Sequence, residues 1–116
     1  GGAGADVFVF SANPTANNLV TITDFSHGVD ILQFDHLAFT NTGTTPGSAL
    51  SAANFVSSNT AAGAVAHDAT DHFIYNSSSG ALYYDADGSG AGAKVQIATL
   101  GTTVHPALTA ADIHVA

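Results

Sequence analysis

The nine residues Gly1-Gly2-Ala3-Gly4-Ala5-Asp6-Val7-Phe8-Val9 constrain this chain more than any other stretch, because they join a glycine-rich turn, a carboxylate and an alternating apolar strand in one unit. Gly1, Gly2 and Gly4 permit backbone conformations with positive φ, which lets carbonyl oxygens turn towards one point; Asp6 adds a carboxylate there, and Phe8 faces a core. Converging oxygen donors of this kind suit calcium, which takes about six to eight of them. One unit cannot bury its strand alone, so it reads as the last turn of a stack that lies upstream, and the chain as the C-terminal end of a longer protein.

Half of the unit returns 24 residues later. Gly28-Val29-Asp30-Ile31-Leu32 follows the pattern of Gly4-Ala5-Asp6-Val7-Phe8, and the two half-motifs are expected to stack. Asp24 and Asp30 flank Gly28 in a D-F-x-x-G-x-D loop, near enough to share a cation while Phe25 and Ile31 face the core. A third candidate is Asp85-Ala86-Asp87-Gly88-Ser89-Gly90, with oxygen donors at alternate positions and glycine for a sharp turn. No Glu follows it to complete the ligand set, so a metal-free hairpin loop is an equal reading. The candidate metal ligands are thus Gly1, Gly2, Gly4, Asp6, Asp24, Gly28, Asp30, Asp85, Asp87 and Ser89.

Charge supports a cation. The chain holds nine Asp, no Glu, no Arg and the single Lys94, for a formal net charge of −8, so internal ion pairs cannot neutralise it. Two carboxylates forced within about 4 Å repel by roughly 4 kcal/mol at an intermediate effective dielectric, and a bound divalent ion removes that penalty. The same charge makes nucleic acid and anionic membranes poor partners. With 46% hydrophobic residues in 116, one domain with a modest core is expected and disorder in the presence of calcium is not. No apolar run is long enough to span a membrane, and the absence of Cys excludes disulfides and thiolate metal sites.

The strand pattern is all-β. After Val7-Phe8-Val9-Phe10, Leu19-Val20-Thr21-Ile22-Thr23 alternates as a half-buried strand. Residues 40–70, rich in Thr, Ser, Asn, Gly and Ala, read as a surface excursion carrying one short helix over 50–56 with Ser51 as its cap. Strands at 72–75 and 81–84 form a hairpin across a short Ser-rich turn, and 94–100 follows after a glycine-rich return. The chain closes on a capped helical turn, Leu108-Thr109-Ala110-Ala111-Asp112, and the apolar Ile113 and Val115. The six His form no H-E-x-x-H pattern and read as scattered and solvated; there is no G-x-S-x-G elbow and no catalytic constellation, so no enzyme is expected.

Together these segments resemble the C-terminal region of repeats-in-toxin (RTX) proteins, the hemolysin-type calcium-binding proteins that bacteria export by type I secretion. Residues 1–8 are similar to a final repeat. Ile22-Thr23-Asp24-Phe25-Ser26-His27-Gly28-Val29-Asp30-Ile31-Leu32 is similar to the capping segment of serralysin-type proteases, and 73–100 to a tail found on many such secreted proteins. The resemblance implies the end of a calcium-binding parallel β-roll capped by a small antiparallel sheet, with one or two short helices. It divides a single domain, 1–116, into last roll turn and cap (1–34), surface excursion (35–70), and antiparallel sheet with export-signal tail (71–116). Its implied partners are upstream repeats of the parent chain and a type I translocator, its location is outside a bacterial cell, and its role is folding, capping and export. The tail does not name the parent's activity. The alternative is an adhesive or self-assembling surface module.

Overall fold

The computed structural model describes residues 5–11, 19–26, 28–39, 42–60, 65–66, 69–86, 94–101 and 105–116. These are mostly strand: β1 (Val7–Phe10), β2 (Val20–Ile22), β3 (Ile31–Phe34), β4 (Ser48–Ala49), β5 (Phe55–Ser58), β6 (Phe73–Asn76), β7 (Ala81–Tyr84), β8 (Val95–Leu100) and β9 (Ile113–Val115). Helix among the described residues is confined to 3-10 turns at Ala52–Asn54 and Ala110–Asp112. The strands form two open, mixed sheets, ordered β1-β3-β9-β4 and β2-β8-β7-β6-β5.

The half-motifs stack. β1 pairs with β3 in parallel, Val7 beside Ile31 and Phe8 beside Leu32, which is the offset the sequence pattern requires. Between them the chain crosses to the other sheet as β2 and returns, so β1, β2 and β3 alternate between the two layers. Phe8 faces inward and Phe25 is buried, as expected; Ile31, expected in the core, is only half-buried, because alternation along β3 gives the interior to Leu32 and Phe34 instead.

The second sheet is antiparallel only at its centre. β6, β7 and β8 run antiparallel, with a bulge between Leu82 and Tyr83, whereas β2 and β5 join the edges in parallel. Leu32, Phe34, Ile113 and Val115 from the first sheet share one core with Ile22, Phe73, Tyr75, Leu82, Ile97 and Leu100 from the second. Phe34 sits at the joint, its ring 4.6 Å from Phe10 and 4.7 Å from Phe73.

The expected surface excursion contributes two strands. The helix foreseen over 50–56 is a single 3-10 turn capped by Ser51, after which the β-branched and aromatic pair Phe55 and Val56 enters β5 against β6. A buried polar knot fixes this Thr- and Ser-rich stretch: Asn54 accepts from the Thr44 hydroxyl at 2.9 Å and donates to the Thr70 carbonyl at 2.8 Å. Gly43, at φ +72, passes so close to Asn54 that a Cβ there would collide with its amide.

Candidate metal centre

Asp6 and Asp30 stand side by side at the entries to β1 and β3, and hydrogen bonds run in both directions between their strands. The Asp6 amide donates to Asp30 Oδ1 at 2.9 Å, and the Ile31 amide donates to the Asp6 carbonyl at 2.9 Å. Asp30 Oδ2 accepts from the Ser26 amide at 2.8 Å, while the Val29 and Asp30 amides both return to the Ser26 carbonyl. The tight loop this closes needs Gly28 at φ +79. Asp30 is almost fully buried, and the amides of Asp6 and then Ser26 hold its carboxyl below its ordinary value against the opposing effect of burial. Its carboxylate is a clasp between the two strand entries.

Asp6 is different. Its Oδ2 is buried and has no hydrogen-bond partner among the described residues. A carboxylate oxygen out of water without a donor costs free energy that a cation would recover. That orphaned oxygen, at the entry to β1, is a feature of the described residues that fits calcium. Asp24 lies on the exposed part of the same loop. Asp85 lies in the second sheet, at the end of β7, where its amide donates to the His72 carbonyl and its carbonyl accepts from His72 Nδ1 at 2.8 Å. Gly1, Gly2, Gly4, Asp87 and Ser89 lie outside the described residues. Among the described residues, no group of three or more His, Asp or Glu is arranged to hold an ion.

Gly28 has a further role. Its amide donates to Asp112 Oδ1 at 3.1 Å, a bond between residues 84 positions apart, and Asp112 Oδ2 accepts from the Thr109 amide at 3.0 Å. The Thr109-x-x-Asp112 spacing signals the local cap. Nothing in the sequence signals the Gly28 contact. The histidines are also not simply solvated: His72 is buried, and Nδ1 of His72, His105 and His36 each meets a main-chain carbonyl, of Asp85, Leu100 and Ala116.

No known protein family, no characterised protein and no solved structure matches this chain. No helix among the described residues is long and apolar enough to cross a membrane.

Proposed function

We propose that this chain is a calcium-dependent folding and capping module, the C-terminal part of a larger secreted bacterial protein of the RTX type, with a type I export signal in its terminal segment. The observation that carries the reading is the in-register parallel stacking of the two half-motifs, with the orphaned Asp6 oxygen at the entry to β1. The alternation of β1, β2 and β3 between two layers is the path expected for the end of a β-roll. Asp6 and the carbonyls of the Gly1 to Gly4 turn would hold the ion, joined from the neighbouring loop by the exposed Asp24. Calcium would supply the positive charge that lets these oxygens crowd together.

The coupling is mass action. A ligand that binds only the folded state stabilises it by about 2.7 kcal/mol at a hundredfold excess over Kd, enough to switch a marginal domain between the low calcium of a cytosol and the higher level outside. Far-UV circular dichroism of the chain, titrated with calcium and then with chelator, tests this. A gain of β signal that chelator reverses is the expected outcome, and a fold indifferent to both sinks the reading.

One observation favours the alternative, a self-assembling surface module. Among the described residues β1 is an edge strand, and its outward residues Val7 and Val9 are 56% and 59% exposed, an apolar edge strand of the kind that pairs between chains. Sedimentation with and without calcium separates the two: ordered oligomers support self-assembly, and a monomer throughout removes it.

A further inference from the structure

A cleft of about 400 Å3 lies between the loop that leaves β3 and the loop that enters β4. That volume falls within the roughly 300–1,000 Å3 of small-molecule sites. His36 forms one wall, the stretch from Thr42 to Pro46 forms the other, and the almost fully buried Phe39 also lines it.

Both walls are fixed by their own hydrogen bonds. The His36 amide and the His36 ring Nδ1 meet the Ala116 carbonyl oxygen at 2.9 Å and 2.7 Å. Opposite them, the Thr42 hydroxyl donates to the Thr44 carbonyl and accepts from the Thr44 amide, while the Thr44 hydroxyl donates to Asn54 and accepts from the Ser51 amide. The Gly47 amide, just beyond Pro46, donates to the Val115 carbonyl at 2.6 Å. Walls already ordered in this way lower the entropic cost of binding.

The groups left over define what the cleft would take. Ala116 offers His36 only an acceptor, so Nδ1 carries the proton and Nε2 of the neutral ring is left as an acceptor. Neither Nε2 nor the Thr45 hydroxyl makes a hydrogen bond within the described residues. Although the chain holds nine Asp, neither Asp nor Lys lines the cleft, so an ionic ligand of either sign finds no counter-charge there. Asp35 Oδ1 is 3.9 Å from Nδ1, the nitrogen already engaged, and accepts from the Leu37 amide. We propose that this cleft binds a neutral saccharide, one hydroxyl donating to His36 Nε2, another exchanging a hydrogen bond with Thr45, and an apolar face of the sugar ring against Pro46. Such binding needs no ion and is independent of the calcium reading.

Two-dimensional NMR of the intact chain, in a buffer where circular dichroism shows it folded, tests the inference by titration with glucose, galactose, mannose and N-acetylglucosamine. Glucosamine and glucuronate serve as charged controls. At least one neutral sugar should shift the amides of residues 36, 39 and 42–45 saturably, with a Kd of about 1 mM for a site with so few polar contacts, and the charged controls should bind more weakly. Two variants read the contacts separately. His36→Asn keeps a donor near the position of Nδ1 and removes the Nε2 acceptor, and Thr45→Val keeps the shape and removes the hydroxyl; each should weaken binding by about tenfold. If His36→Asn lowers Tm, Thr45→Val on the exposed part of its loop decides. Lack of a saturable shift with every neutral sugar, shifts centred on other residues, tighter binding of a charged control, or binding at full strength by Thr45→Val overturns the inference.

Discussion

Truncating Phe34 tests how the two sheets are joined. The side chain is fully buried on β3 and lies 4.6 Å from Phe10, 4.9 Å from Phe39 and 4.7 Å from Phe73, so one ring touches its own sheet, the following loop and the opposite sheet. Phe34→Ala leaves a cavity that neighbours pinned in strands cannot close, and the cost should fall in the middle of the 3–5 kcal/mol range typical of buried Phe→Ala changes, about 4 kcal/mol. At about 2.1 cal/mol/K of unfolding entropy per residue, a domain of 116 residues would lose roughly 16 °C in Tm. Phe8, half-buried with Phe25 as its ring partner at 6.2 Å, supplies the comparison, and Phe8→Ala should cost about 1–2 kcal/mol. Urea unfolding at fixed calcium, followed by far-UV circular dichroism and tyrosine fluorescence, measures both, and agreement of the two probes checks two-state behaviour. A Phe34→Ala cost no larger than that of Phe8→Ala would refute the joint.

Three further expectations follow from single residues. Gly80 and Gly28 both have φ near +75 to +79, but a Cβ at Gly80 would strike the Leu100 carbonyl and His105, whereas one at Gly28 meets open space; in thermal melts Gly28→Ala should cost about 1–2 kcal/mol and Gly80→Ala clearly more, about 3 kcal/mol or above. Burial pushes the Tyr75 phenol up to about 12 from its ordinary 10.0, so the fold favours the neutral form: its contribution is complete below pH 10 and is lost as pH rises from there, and phenolate absorbance should show one tyrosine that ionises late or only with unfolding. Asp30 has the opposite sign. Its carboxyl is held below 3.8, so the stability it gives is present at neutral pH and lost as pH falls below about 4; Asp30→Asn should flatten that acid limb in urea midpoints measured between pH 7 and pH 3.

Local chemistry in the sequence revealed the parts of the fold that depend on it. The 24-residue repeat of Gly-x-Asp-apolar set the β1 and β3 register, alternation in Val20, Thr21 and Ile22 marked β2, and the Ser-rich turn after Asn76 marked the β6 and β7 hairpin. β4 and β5 were not legible, since Ser48, Ala49, Ser57 and Ser58 carry no apolar alternation; they are strands because β9 and β6 offer them free edges, a tertiary effect that outweighs propensity. Ser51 signalled a helix start correctly, but whether that turn propagates is decided by Phe55 and Val56 finding Phe73 and Ile74. At the candidate site the sequence singled out Asp6, Asp30 and Gly28. It did not assign their tasks, because an Asp beside a glycine turn reads the same whether it meets an ion or an amide.

In the structure the two carboxylates differ in what they touch. With one Lys against nine Asp, carboxylates here turn to main-chain amides: Asp30 accepts two, Asp112 accepts two, and Asp35 accepts that of Leu37 at 2.9 Å. Amide donors exist in the right place only once the loops have formed, so these carboxylates find their partners only in the folded chain. The unpartnered Oδ2 of Asp6 gains nothing from that arrangement. Two isosteric changes should therefore part company. Asp6→Asn removes the orphaned charge and should leave stability in chelator unchanged or higher, while abolishing most of the calcium-induced rise in Tm. Asp30→Asn gives up one of two amide acceptors and should lower Tm with and without calcium alike, leaving the calcium-induced increment in place. Paired melts of both variants in calcium and in chelator decide it. If Asp6→Asn keeps the full calcium response, or Asp30→Asn alone loses it, the roles assigned to the two carboxylates are wrong.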